Sequence, residues 1–281
     1  MSAPSPASSP SPSPSPLPLL SAPDWCFYRQ REGVDPAAYY RGLRDAGITA
    51  VEMVAPERWQ VARDAGLKLL NLSGPGMRQG LNRREHHPAL IAEITSLIAR
   101  AARESIPHII VFSGENAGQP AIEGRAHCAT ALRVLAARAA DAGVTLIFEM
   151  LNSFDHGDYQ ADGSGYGFSL AAEIASPGLK VLYDVYHMAR MGEDVSRDIS
   201  THVDWIAHMH VADPRGRKVP LSDGVMRWRE LHDRAAVCGY RGYWGLEFLP
   251  EGDALIEIRR AAAVFGAGQS STRAPSAASA K

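Results

Sequence analysis

Two apolar runs in the second half of the chain end in side chains that bind cations. KVLYDV at 180–185 closes on Asp184, and WIAHMHVA at 205–212 closes on His210. Two more runs end in the same manner, LIFE at Glu149 and WGLE at Glu247. Runs this apolar read as strands buried on both faces, the habit of a parallel sheet. Side chains two apart on a strand face the same way, so Asp184 stands above Leu182, Glu149 above Ile147, and His210 above His208. Each strand therefore carries aliphatic packing below a polar rim, and His208, one layer down, is placed for a buried hydrogen bond.

The rest of the chain follows the same alternation. Strands are predicted at 24–28 (DWCFY), 48–54, 67–74, 107–116, 144–150, 179–185, 205–212 and 240–248, each followed by a helical stretch. Asp35-Pro36 supplies an N-cap and a first-turn proline for the first helix. Eight strand-helix pairs in one chain predict an α/β fold, a single (β/α)8 TIM barrel over residues 24–266. An open doubly wound sheet is the alternative, and no strand here leads into a GxGxxG phosphate turn. The segments 73–82, 151–169 and 213–224 are polar loops on the side of the barrel where the strands end.

The first 23 residues are dominated by Ser and Pro, and 267–281 has a related composition. Neither can bury enough apolar surface to offset its ordering entropy, so both are expected to be disordered, extended tails. The N-terminal stretch lacks the charged and apolar regions of a signal peptide, and no apolar run approaches the roughly 20 residues of a membrane helix. A net charge of -2 gives no basic field for a nucleic-acid backbone. Cys26, Cys128 and Cys238 have no CxxC spacing and read as small buried residues of a reducing compartment. The expectation is a cytoplasmic protein with no membrane or nucleic-acid partner, open to homo-oligomerisation, acting on a small molecule.

Glu149, Asp184, His210 and Glu247 fall at the same end of consecutive strands, the fifth to the eighth. Three carboxylates converging there would repel one another without a cation. The set predicts one divalent metal ion, Mg, Mn or Co, with Zn compatible. Glu52 ends the second strand and is a candidate for binding a substrate hydroxyl, or else a neighbouring helix. His86 and His87 are expected on the surface, and Trp25, Trp59 and Phe112 in the core or a pocket wall.

LIFEMLN, KVLYDVYHMARM, HMHVADPRGR and WGLEF, with VEMV, SGPG, GLNRREHH and IIVFSG upstream, resemble the xylose isomerase-like sugar isomerase and epimerase barrels. The hydroxypyruvate isomerase-like branch is nearest, and the resemblance covers residues 24–266. It implies a metal held by Glu149, Asp184, His210 and Glu247, with Glu149 and Glu247 also moving protons. It further implies that His187 and Arg217 hold substrate oxygens. One position departs: the hydroxypyruvate isomerase-like pattern tends to carry glutamine where this chain has His210, and histidine is usual in the ketose epimerases. The implied activity is a metal-dependent isomerase or epimerase of a small hydroxy-carbonyl compound working through an enediolate. The alternatives are a dehydratase on the same metal site and a barrel that binds a sugar acid without turnover. An endonuclease barrel would need further metal ligands and a basic groove, and neither is evident.

Overall fold

The computed structural model describes residues 18–28 and 33–266. The predicted tail at 267–281 and residues 1–17 of the other lie outside the described residues. The strands are β1 (Leu19–Pro23), β2 (Ala50–Glu52), β3 (Lys68–Leu69), β4 (Asn71–Ser73), β5 (His108–Phe112), β6 (Thr145–Glu149), β7 (Leu179–Asp184), β8 (Ile206–Val211) and β9 (Tyr243–Leu246). The helices are α1 (Asp24–Phe27), α2 (Pro36–Asp45), α3 (Trp59–Asp64), α4 (His87–Arg103), α5 (Ala121–Asp141), α6 (Ser164–Ile174), α7 (Val185–Arg190), α8 (Val195–His202), α9 (Trp228–Val237) and α10 (Ala254–Phe265).

All strand pairs are parallel, in the order β3-β2-β1-β9-β8-β7-β6-β5-β4. The two ends of that order, β3 and β4, are halves of one run separated by Leu70. The first half pairs with β2 and the second with β5, so a single segment joins both edges. The sheet thereby closes into a barrel with eight strand positions, as the alternation predicts.

The start of the barrel differs from the sequence expectation. DWCFY is not a strand: Asp24–Phe27 is a short helix, and the first strand is Leu19–Pro23, inside the segment expected to be a tail ending at residue 23. Its register aligns Ser21 with Ala50 of β2 and with Gly245 of β9. Leu20 and Ala22 are fully buried in the core. The Ser/Pro composition of the preceding stretch concealed five residues whose stabilising partners lie far along the chain. Pro23 is tolerated because it ends the strand, where no ladder donor is needed.

Helix signals read more directly. Asp35 caps α2, its carboxylate accepting from the Ala37 and Ala38 N–H groups, with Pro36 at the first helical position. In α5 the buried residues Gly124, Cys128, Leu132, Leu135 and Ala139 recur at three- and four-residue intervals and face the sheet. Helix α6 starts five residues before the expected end of the 151–169 loop. Its first-turn donor, the N–H of the buried Ser164, is met by Glu193 Oε1 from a distant loop, a cap no local window contains. A second helix, α7, follows β7 directly and is capped by Asp184.

Candidate active site

The ends of β6 to β9 bring four predicted residues together. Ligand atoms of Glu149, Asp184, His210 and Glu247 all lie within 4.8 Å of one another, and all four residues are buried. Strand register explains this: Asp184 pairs with His210, which pairs with Gly245, and Glu247 projects two residues further on the same face. Glu149 and Glu247 line a cavity of about 380 Å³ with Trp25, Met53, Ile110, Phe112, Leu151, His156, His187 and Arg217 among its walls.

The two oxygens of Asp184 have different surroundings. Oδ1 accepts from the Tyr186 N–H at 2.7 Å and the His187 N–H at 3.3 Å, fixing the carboxylate as the α7 cap. Oδ2 is buried without a hydrogen bond, with Arg217 Nη2 at 3.8 Å and His187 Nε2 at 3.5 Å. His210 divides likewise. Its Nε2 lies 2.8 Å from Glu52 Oε2. Its Nδ1 faces Glu247 Oε2 at 3.1 Å and Glu149 Oε1 at 3.6 Å without an aligned hydrogen bond. Leaving a buried polar atom unpaired costs about 1–3 kcal/mol. A divalent cation would satisfy both atoms, and three carboxylates with one imidazole are a donor set that suits it.

The charges are coupled accordingly. Burial pushes the Asp184 carboxyl up to about 7, with Arg217 opposing and Glu247 adding to the rise. Burial also raises Glu149, against the nearby His210 ring. Glu247 moves the other way: burial disfavours its charge, but His210 and Arg217 together outweigh that and hold it below the usual carboxylate range. Burial would likewise lower His210, yet the carboxylates of Glu247 and Glu52 hold it well above the usual imidazole value. These opposed shifts are those of a site with more negative than positive charge.

Arg217 enters from the loop after β8. Its guanidinium donates to Glu247 Oε2 and sits over the rings of Trp25 and Tyr186 at 5.2 and 5.1 Å. It adopts φ 55°, the left-handed region that a non-glycine residue seldom enters. Trp25 Nε1 donates to the other Glu247 oxygen at 2.9 Å. Glu247 is therefore clamped, whereas among the described residues Glu149 has only His210 Nδ1, at 3.6 Å, as a basic side-chain neighbour.

His187 lines the same cavity. Its Nδ1 accepts from the Asn152 backbone N–H at 3.0 Å, so in the neutral ring Nε2 carries the proton. Burial, then Arg217, drives the ring well below its usual pKa and keeps it neutral. Asn152 was not among the residues anticipated. Its Oδ1 accepts from the Phe154 and Asp155 N–H groups, an Asx turn, while Nδ2 reaches His187 Nδ1 at 2.6 Å. The Asn-Ser pair after the fifth strand was the available signal. His156, also unanticipated, stands 5.5 Å ring to ring from His187.

Glu52 is fully buried and is not among the residues lining the cavity. It lies beneath His210, among Ser21, Asn71, His208 and His210. His208 takes the buried hydrogen bond expected of it. His87, expected at the surface, is buried with Nε2 2.9 Å from the Leu81 carbonyl, because α4 begins at this residue and turns its ring under the preceding loop. Trp25 and Phe112 line the pocket and Trp59 is in the core. Cys26 and Cys128 are buried as expected, while Cys238 is only half-buried. No helix among the described residues is long and apolar enough to cross a membrane.

Known proteins share this arrangement of strands and sequence. The chain is 33% identical to the 2-oxo-tetronate isomerase of Cupriavidus necator over 135 residues, 47% of this chain and 52% of that one. It is 28% identical to the hydroxypyruvate isomerase of Escherichia coli over 108 residues, 38% of this chain and 42% of that one. The matched stretches thus span about half the length of these relatives. Among solved structures, an AP endonuclease, family 2, from Brucella melitensis superposes with a TM-score of 0.77 at 19% identity, covering 86% of this chain and 97% of the other. The D-psicose 3-epimerase of Clostridium cellulolyticum superposes with a TM-score of 0.72 at 19% identity, covering 88% and 96%. At these identities the structural likeness shows the fold alone. The profile of the xylose isomerase-like TIM barrel matches residues 40–265, most of the described barrel, and the chain belongs to that family.

Proposed function

We propose that this chain is a divalent-metal-dependent isomerase or epimerase of a small hydroxy-carbonyl compound. The observation that carries the reading is the convergence of Glu149, Asp184, His210 and Glu247 with two buried ligand atoms, Asp184 Oδ2 and His210 Nδ1, left without hydrogen bonds. The names of the relatives, 2-oxo-tetronate isomerase and hydroxypyruvate isomerase, support the same class of reaction. Glu149, Asp184, His210 and Glu247 would hold Mg, Mn or Co, with Zn compatible. The ion, when bound, supplies Lewis-acid stabilisation of negative charge developing on adjacent substrate oxygens.

The chain's own groups account for the remaining chemistry. Glu149 is free of the clamp that Trp25 and Arg217 place on Glu247, so its carboxylate takes the proton from the carbon beside the carbonyl. In an isomerisation the protonated Glu149 hands that proton to the neighbouring carbon and is ionised again. In an epimerisation Glu247, which lines the same cavity, must start protonated to deliver a proton to the opposite face, so that the two glutamates end with their protonation exchanged. His187 donates its Nε2 proton to a substrate oxygen, and Arg217 binds a second oxygen. The apolar wall of Trp25, Ile110, Phe112 and Leu151 excludes water from the enediolate. His210 favours an epimerase of a ketose as the second reading, since the hydroxypyruvate isomerase-like pattern tends to carry glutamine there.

The test is proton NMR in heavy water with Mn-free, Mg-loaded protein and a panel of hydroxypyruvate, tartronate semialdehyde, 2-oxo-tetronates and ketoses. Loss of one carbon-bound proton signal that requires metal and disappears in Glu149→Gln is the expected result. Exchange that persists in chelator-stripped protein, or in that variant, refutes the scheme.

A further inference from the structure

Beneath the four converging residues lies a carboxylate that the scheme above leaves unused. Glu52 is completely buried, and four side chains from three other strands surround it. Ser21 of β1 donates to Oε1 at 2.7 Å; Asn71 of β4 donates to Oε2 at 2.6 Å. His208 and His210 of β8 bring their Nε2 atoms to Oε2 at 2.9 and 2.8 Å. The barrel keeps space for this group. A Cβ on Gly245 of β9 would fall 2.4 Å from Glu52 Oε1 and 2.6 Å from His210 Cδ2, closer than any real contact.

We propose that Glu52 is a positioning residue for the metal: it fixes the protonated Nε2 edge of His210 so that Nδ1 points at Glu149, Asp184 and Glu247 with its lone pair free. The inference rests on the reading of His210 as a ligand. An ionised carboxylate only accepts hydrogen bonds, so the nitrogen 2.8 Å from it must be the one bearing hydrogen. A ligating imidazole must be neutral, so on metal binding the ring keeps the proton at Nε2, where the Glu52 carboxylate holds it, and gives up the one on its other nitrogen, which is then the ligand. That other nitrogen is the buried, unbonded Nδ1. A carboxylate behind a ligating histidine also makes the ring a stronger donor and restrains its rotation. His208 fills the remaining side of Glu52 Oε2, which keeps the carboxylate from turning away. Asp184 is held differently, by the Tyr186 and His187 N–H groups, and Glu247 by Trp25 and Arg217, so a carboxylate partner is specific to the imidazole.

Two measurements decide it. Isothermal titration of chelator-stripped protein with Mn²⁺ is expected to give roughly 10- to 100-fold weaker binding for Glu52→Gln, the usual cost of losing such a partner. Ser21→Ala, which touches only Oε1, is expected to bind near the wild-type value although it disturbs the same network. Nitrogen-15 NMR of the wild-type Zn²⁺ form is expected to show His210 bound through Nδ1, with a protected, downfield Nε2 proton, a signature that needs no variant to fold. Wild-type affinity in Glu52→Gln, or Zn²⁺ on Nε2, overturns the role of Glu52 while metal binding lost in Glu149→Gln keeps the parent scheme standing. Wild-type protein whose Mn²⁺ binding is unchanged by Glu149→Gln overturns both.

Discussion

Leu20→Ala tests where the barrel begins. Leu20 is fully buried in β1, between β2 and β9, while Leu19 beside it is 40% exposed. Truncating a buried leucine removes its transfer free energy and leaves a cavity that a closed barrel can only partly fill, costing about 2–5 kcal/mol. At about 2–4 °C per kcal/mol for a domain of this size, a loss near 3 kcal/mol lowers the thermal midpoint by about 6–12 °C. Leu19→Ala, on the exposed side of the same strand, should cost well under half as much. Urea unfolding followed by circular dichroism at 222 nm, with calorimetry alongside, measures both. Equal midpoints for wild type and Leu20→Ala would refute the reasoning, because a residue in a solvated tail has no packing to lose. The neighbouring Leu19 variant guards against a general sensitivity of the segment.

Other outcomes follow from the site. Asp184→Asn keeps an oxygen to cap α7 but removes the charge beside the unbonded Oδ2; titration calorimetry should show Mn²⁺ affinity falling by more than the roughly 100-fold typical of partner-group losses, with the helical signal retained. Retained affinity would remove Asp184 from the ligand set. Asn152→Ala deletes the side-chain bond to His187 Nδ1 and the Asx turn, but not the backbone N–H; turnover should fall about 10-fold, or 1.4 kcal/mol in the barrier, with Mn²⁺ affinity unchanged. Unchanged turnover in the exchange assay would show that His187 needs no such support.

The alternation of apolar runs with amphipathic stretches pointed to a closed (β/α)8 arrangement, because each parallel strand needs a crossover helix and eight such pairs fill a ring, although it put the first strand at DWCFY rather than at Leu19–Pro23. The same local periodicity set Glu149, Asp184, His210 and Glu247 at the strand ends and His208 one layer below His210. Caps such as Asp35-Pro36 were legible because their donors are two and three residues away. What tertiary structure decided depends on partners outside any local window. Leu19–Pro23 becomes a strand through residues near 50 and 245, against its own composition. Glu52 is drawn into the core by His208 and His210, 156 and 158 residues away, and Glu247 is clamped by Trp25 across 222. A sequence states which groups can donate, accept or carry charge; which of them are buried together, and so which atom of Asp184 or His210 is left free, is set only when the barrel closes around them.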